Sequence, residues 1–265
     1  MVPFSANIEM LNDQEPFLER IGKAKCSGFD AIEFWSWENK DLVAIRELCE
    51  EFGLFVSSIS GDGSDYSLCD DTQLKGYVDY ARASFEAAKQ VGSSIVVIHS
   101  NALSDGKVVD SYSDIPITRL YMNMVKTLLA LAPYAEKAGI TCVLEPLNRY
   151  IDHQGNLLHT LYDAAQVVEV VGSPNIALLY DLYHMQIESG NLCGNYDRFA
   201  AHVRHIHVAD YPGRHEPGTG EIQYTQVASH ILKQGYSGVF AFELSPSRTY
   251  EAAVRSIMNL RNTLL

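Results

Sequence analysis

Glu145 in TCVLEPLN, Asp181 in IALLYDLYH, His207 in VRHIHVAD and Glu243 in VFAFELSP each stand near the carboxyl end of an apolar, β-branched run. A strand buried on both faces reads as such a continuous run, and an acid or imidazole inside one is costly unless it is paired or bound to a cation. Taken alone, each of the four is as readily an ion-pair partner as a ligand. Together they are a different matter: three carboxylates meeting one imidazole would repel and raise one another's pKa values unless a divalent ion lay between them. The expected chemistry is therefore one divalent metal ion held by Glu145, Asp181, His207 and Glu243. Oxygen-rich donors favour Mn²⁺ or Mg²⁺, with Co²⁺ or Zn²⁺ also compatible.

The elements that must position these residues alternate from end to end. VPFSANI, DAIEFW, LFVSSIS, SIVVIHS, TCVLEPL, IALLYDLY, VRHIHVAD and VFAFELS read as eight strands. Between them EPFLERIGKAKCSGF, DLVAIRELCEEFG, TQLKGYVDYARASFEAAKQVG and RLYMNMVKTLLALAPYAEKAG have helical spacing. Further helices are expected near Leu161 to Val171, Tyr196 to His202, Tyr224 to Gly235 and Ser247 to Leu264. Eight strand–helix units predict an α/β fold, a single (β/α)8 TIM barrel over residues 1–265, because parallel strands need crossovers and these are normally helical. A doubly wound dinucleotide-binding sheet is the competitor. It would want G-x-G-x-x-G after an early strand, whereas SGDGSD lacks the third glycine and reads as a flexible loop. In barrels of this kind catalytic residues sit at the carboxyl ends of strands, which is where the four candidates fall.

Composition narrows the partners. Hydrophobic residues make up 47% of the 265 and charged residues 20%, enough apolar mass for a substantial core. The net charge of −13 argues against a nucleic-acid partner, since phosphate binding draws on Lys and Arg. Five cysteines form no C-x-x-C pair or regular framework, so a reducing cytoplasm is the simplest setting. The opening MVPFSANIEMLNDQEPF lacks the basic start and apolar run of a signal peptide, and no stretch reaches membrane-spanning length. A small molecule is the expected partner.

The segments ANIEML, GFDAIEF, VLEPLN, DLYHMQIESGNL, HVADYPGRHEPGTGEIQY and GYSGVFAFELSP span nearly the whole chain and resemble the hydroxypyruvate isomerase group of the xylose-isomerase-like barrel superfamily. The resemblance implies a metal-dependent isomerase in which Glu145 and Glu243 bind one divalent cation and also move the proton. Asp181 and His207 would complete the ligand set, and His184 and Arg214 would contact substrate oxygens. The chain departs from that group at His207, where Gln is usual, and at Ser245, where a Lys in a Y-K-P segment is usual. HIHVAD and the NRY after Glu145 look more like ketose 3-epimerases, whose pattern expects a Glu near Ile151. Abasic-site endonucleases of the same superfamily use several zinc ions and many more histidines, which the nine here are not arranged to supply.

A hydroxy-carbonyl substrate fits these residues. Its C–H beside the carbonyl becomes acidic when a cation takes the neighbouring oxygens and stabilises the enediolate, and two carboxylates then have a purpose in removing and returning the proton. The expected activity is an aldose–ketose type isomerisation of a small hydroxy-aldehyde, ketose or keto acid. Ketose 3-epimerisation is the alternative, and a non-catalytic carbohydrate-binding barrel the more distant one. His184, three residues after Asp181, reads as a substrate contact or as a histidine that caps the next helix. Arg214, in PGRHEPGTG, suits a carboxylate or vicinal oxygens. His99, at the end of VVIHS, points into the site or belongs to the barrel rim. Trp35 or Trp37 either walls the site against water or packs against a second copy in a homo-oligomer; Trp35 is taken as the substrate-side candidate. His215 and Glu216 read as loop braces, and Glu33 as a hydrogen-bonding acid in the barrel or a support for His207.

Overall fold

Strands buried on both faces leave their backbones no partner except one another, and here they close into a ring. The computed structural model describes residues 2–264; Met1 and Leu265, which the unit expected over 1–265 includes, lie outside the described residues. The eight strands are β1 (Phe4–Asn7), β2 (Ala31–Phe34), β3 (Phe55–Ser60), β4 (Ile95–Ile98), β5 (Thr141–Leu144), β6 (Ile176–Asp181), β7 (Val203–Val208) and β8 (Phe240–Phe242). Each pairs in parallel with its neighbours in chain order, and β8 closes on β1 with Ala6 opposite Phe242. This is the (β/α)8 barrel expected from the alternation. The helices are α1 (Phe17–Cys26), α2 (Leu42–Phe52), α3 (Leu74–Val91), α4 (Ile117–Ala138), α5 (Leu161–Val171), α6 (Leu182–Glu188), α7 (Leu192–Phe199), α8 (Tyr224–Lys233) and α9 (Tyr250–Thr263). No helix among the described residues is long and apolar enough to cross a membrane.

The two faces of each strand do different work. Phe4, Ala6, Ile32, Phe34, Ile98, Cys142, Leu144, Leu178, Tyr180, Ile206, Phe240 and Phe242 pack outward in the large apolar core that includes the helices. The alternate residues face the barrel interior, where Val97, Val143, Ala177 and Leu179 form a separate small cluster. Because side chains repeat every second residue, the next inward positions are His99, Glu145 and Asp181. The same step leads from His205 to His207 and from Ala241 to Glu243. An apolar layer is thus followed, two residues nearer the carboxyl ends, by a layer of acids and imidazoles.

Local chemistry sets several element ends. Asp41 accepts from the Ala44 N–H to start α2, and Gly53 ends it at φ 63°, where a side chain would be strained. The helix expected over Tyr196 to His202 is corrected: two short helices, α6 and α7, run from Leu182 to Phe199 instead. The cause is Asp181, whose Oδ1 accepts from the N–H groups of Tyr183 (2.7 Å) and His184 (3.0 Å) and begins α6 directly at the strand end. A two-residue antiparallel pair, Leu103–Ser104 with Lys107–Val108, also lies outside the expected pattern.

Candidate metal centre and active site

Parallel pairing aligns the layer of acids and imidazoles. Asp181 sits opposite His207, and His207 opposite Ala241, so Glu243 lies one inward step further up β8. His207 Nδ1 is 3.2 Å from Glu243 Oε2, 3.4 Å from Glu145 Oε1 and 3.8 Å from Asp181 Oδ2. Each of the four residues offers a ligand atom within 4.8 Å of the others, and all four are buried. The other ring nitrogen of His207 faces Glu33 Oε1 at 3.3 Å.

Electrostatics show what this crowding costs. Burial, and then the neighbouring Glu145 carboxylate, push the Asp181 carboxyl up to about 7. Burial acts on Glu145 and Glu243 in the same sense, but His207 outweighs it and holds both low, helped by His99 at Glu145 and by Arg214 at Glu243. His207 is driven well above the ordinary imidazole range against its own burial, by Glu33, Glu243 and Glu145. The His207 imidazole, Arg214 beside Glu243 and Asp181, and His99 beside Glu145 are the cationic groups that answer these carboxylates. Glu145 Oε1 and both ring nitrogens of His207 are nonetheless buried with no hydrogen-bond partner among the described residues. An orphaned carboxylate oxygen, an imidazole nitrogen that becomes a ligand once its proton leaves, two further carboxylates beside them and the Glu33 carboxylate behind the ring fit a divalent cation bound by Glu145, Asp181, His207 and Glu243.

A second ring of side chains braces the first. Glu33 accepts from Ser58 Oγ (3.0 Å) and meets His205 Nε2 (2.9 Å), while Asn7 Nδ2 reaches both Glu33 Oε1 (3.4 Å) and Glu243 Oε1 (3.3 Å). Trp35, half-exposed, donates its indole N–H to Glu243 Oε1 at 2.7 Å. A cavity of about 50 Å³ opens here, lined by Trp35, His99, Glu145, His207 and Glu243 among others. His99 places Nε2 3.2 Å from Glu145 Oε2, and its Nδ1 and backbone N–H are both held by Asp62 (3.1 and 2.6 Å). Burial opposes charge on His99, but Asp62 and Glu145 push it up to about 10.

On the other side of the cluster, His184 is fully buried and its tautomer is set by Asn148. Asn148 Oδ1 accepts from the N–H groups of Ile151 and Asp152 (3.1 and 3.2 Å), so its amide nitrogen must donate, and it does so to His184 Nδ1 at 2.7 Å. The proton of the neutral ring is therefore on Nε2. That nitrogen is 3.7 Å from Asp181 Oδ2, too far for a hydrogen bond, and has no other partner among the described residues. Arg214 approaches the same Asp181 oxygen with Nη2 at 3.7 Å, pairs closely with Glu243 Oε2 and lies over the Tyr183 ring at 5.3 Å. Its loop is organised by buried Asp210, which accepts from the N–H groups of Tyr211, Gly218, Gly220 and Ile222. A Cβ on Gly220 would stand 2.1 Å from the Tyr211 carbonyl oxygen, so the turn requires glycine there.

The structure thus gathers Glu145, Asp181, His207, Glu243, His184, Arg214, His99 and Trp35 at one end of the barrel. His215 Nδ1 bonds the Ser245 carbonyl (2.8 Å) and the Glu216 carboxylate accepts from Ser247 N and Oγ (2.9 and 2.6 Å), which makes both loop braces. Ser245 and Ile151 are exposed. Sequence reasoning missed Asn7, Asp62, Asn148 and His205. Asp62 lies in the segment read as a flexible loop, and its side chain is mostly buried against His99. The available signal was an acid between glycines directly after a strand.

Comparison with known proteins follows the same lines. The family model described as xylose isomerase-like TIM barrel matches residues 21–261. Hydroxypyruvate isomerase of Escherichia coli (strain K12) is 29% identical over 96% of this chain and 98% of that protein. A 2-oxo-tetronate isomerase of Cupriavidus necator is 25% identical over 93% and 94%. The solved structure of an L-ribulose 3-epimerase superposes with a TM-score of 0.84 over 100% of this chain and 95% of that one; at 22% identity the likeness speaks to the fold.

Proposed function

Since the chain belongs to the xylose isomerase-like TIM barrel family, we propose that it is a divalent-metal isomerase of a small hydroxy-carbonyl acid, of the hydroxypyruvate type. The observation that carries this reading is the convergence of Glu145, Asp181, His207 and Glu243, with Glu145 Oε1 and His207 Nδ1 buried and without a hydrogen-bond partner among the described residues. The full-length likeness to isomerases of hydroxypyruvate and 2-oxo-tetronate supports the reaction class. Mn²⁺ or Mg²⁺ is the proposed occupant, because three of the four donors are carboxylates.

A bound divalent cation supplies the positive charge that polarises the substrate carbonyl and offsets the negative charge arising when the adjacent C–H is deprotonated. The chain's own residues do the rest. Glu145 and Glu243 flank His207 at 3.4 and 3.2 Å, and one of them takes the proton from the hydroxyl-bearing carbon. The proton is returned to the former carbonyl carbon, while a hydroxyl proton crosses between the two oxygens. Trp35 and Asn7 both donate to Glu243 Oε1 and Arg214 donates to Oε2, so both oxygens of this carboxylate are held in place beside His207. His184 presents Nε2–H, and Arg214 a guanidinium suited to a carboxylate, on the Asp181 side of the cluster.

Metal analysis of the purified protein, followed by hydroxypyruvate, tartronate semialdehyde and a panel of ketoses in D₂O with Mn²⁺, tests the proposal. Turnover of the acids with deuterium uptake, abolished by chelator and restored by metal, is the expected result. Exchange with ketoses alone would redirect the reading by its product, a C3 epimer making the chain a 3-epimerase and an aldose making it a sugar isomerase, and metal binding without exchange would make it a binding protein. A Glu243→Gln variant that binds metal normally yet keeps wild-type exchange would sink the two-carboxylate scheme.

A further inference from the structure

His153 is a second imidazole beside the site, outside every role assigned above. It sits in the turn after β5, where its backbone N–H donates to the Asn148 carbonyl (3.1 Å) and its own carbonyl accepts from Asn156 N–H (3.0 Å). Both ring nitrogens are buried and neither has a hydrogen-bond partner among the described residues. A neutral imidazole always carries one N–H and one lone pair, so either tautomer leaves a donor and an acceptor unanswered, each at a cost in desolvation. Folding alone gives no reason to keep such a residue, since an apolar side chain of similar size would carry no penalty.

Its surroundings supply the reason. The ring lies 5.1 Å from His184, centroid to centroid, at an interplanar angle of 61°. Among the described residues His184 Nε2–H is itself a buried donor without an acceptor, and Arg214 Nε is a third. Asn148 ties the group together, because it accepts the His153 backbone N–H and also fixes the His184 tautomer. His184 and Arg214 both approach Asp181 Oδ2 at 3.7 Å, and His153 packs on His184, so unanswered nitrogens from two strand-end segments and the Arg214 loop adjoin the cluster together. What they lack is an oxygen-rich group.

We propose that His153 is a specificity-determining contact that donates a hydrogen bond to the terminal carboxylate of the substrate, alongside His184 and Arg214. This rests on the isomerase reading of the site and adds to it the residue that recognises the end of the substrate remote from the proton transfer.

Two non-reacting probes separate the outcomes: tartronate, a hydroxy acid, and xylitol, a neutral polyol. In the Mg²⁺-loaded protein with ¹⁵N-labelled histidines, tartronate moves the His153 ring-nitrogen signals and xylitol does not. His153→Leu weakens tartronate binding about tenfold or more while Mn²⁺ affinity is unchanged, and melting is unchanged or raised because the unanswered nitrogens are gone; His153→Gln recovers part of the loss. A structural role would instead lower the melting temperature. Ring signals indifferent to tartronate, or a folded His153→Leu protein with wild-type tartronate affinity, overturns the proposal. The two readings fail separately: hydroxypyruvate turnover with an unmoved His153 ring sinks only the contact, whereas a tartronate-induced ring shift without turnover of any carbonyl compound sinks only the isomerase.

Discussion

Nε2 of His207 lies 3.3 Å from Oε1 of Glu33, and that carboxylate also meets His205 Nε2 at 2.9 Å. The contact falls short of a hydrogen bond, but the negative charge behind the ring favours the proton of a neutral His207 on Nε2 and leaves Nδ1 as the nitrogen facing Glu145, Asp181 and Glu243. Glu33→Gln keeps the shape but weakens this acceptor. We expect Mn²⁺ affinity to fall about 10- to 100-fold by titration calorimetry, with far-ultraviolet circular dichroism retained. Unchanged affinity would mean that packing alone orients His207.

Asn148 controls His184 in a way that can be inverted. An Asn148→Asp carboxylate would accept from Nδ1–H, moving the ring proton off Nε2 and converting the site-facing nitrogen from donor to acceptor. The expected result is a loss of roughly 10- to 1,000-fold in kcat/KM, with Mn²⁺ binding kept within a few-fold. The ¹⁵N shifts of His184 should report the other tautomer. Equal activity with a switched tautomer would exclude His184 as a donor to substrate.

Trp35 is half-exposed, so its removal should cost little stability, while its indole N–H holds Glu243 Oε1 at 2.7 Å. Trp35→Phe retains the apolar wall and deletes only the hydrogen bond. A fall in kcat of about tenfold, the worth of one bond to a charged group, is expected, with the melting temperature nearly unmoved. Activity equal to wild type would assign Trp35 to the wall alone.

Burial, and then Arg214, depress the His153 imidazole to about 4. Its folded pKa lies below the ordinary value of 6.5, so the unfolded chain takes up the proton first as pH falls. The stability tied to a neutral His153 is therefore complete above about pH 6.5 and is lost progressively toward pH 4. Urea unfolding of the metal-free protein at pH 7 and pH 4.5 should show wild type losing roughly 2–3 kcal/mol more than His153→Leu. Parallel losses in the two proteins would count against a neutral, buried ring.

Much of this was legible in the chain because each relevant signal is local. Continuous apolar runs such as TCVL and IALLY declare strands that must be buried on both faces, and glycine-stopped amphipathic segments declare the helices that cover them. An acid closing such a run stands out against its own neighbours, which is how Glu145, Asp181 and Glu243 were found. The α6 segment is less legible for a related reason: a strand-end acid such as Asp181 signals a ligand, while its second role, capping the next helix through Tyr183 and His184, depends on backbone geometry that the apolar run does not declare.

The sequence by itself determined the alternation, hence the barrel, and the placing of acids and one imidazole at strand ends, because side-chain period and apolar patterning act over a few residues. Only the tertiary structure decided which polar groups meet. Asp62 holds His99 across 37 positions, Asn148 sets His184 across 36 and Glu33 supports His207 across 174. Such pairings depend on the registers β2–β3 and β6–β7, both of which shift just before or within the inward layer, between Ile32 and Glu33 and between Leu178 and Leu179. A shift of one residue turns a side chain to the opposite face, so no reading along the chain could fix the partners of atoms that converge from opposite sides of the ring.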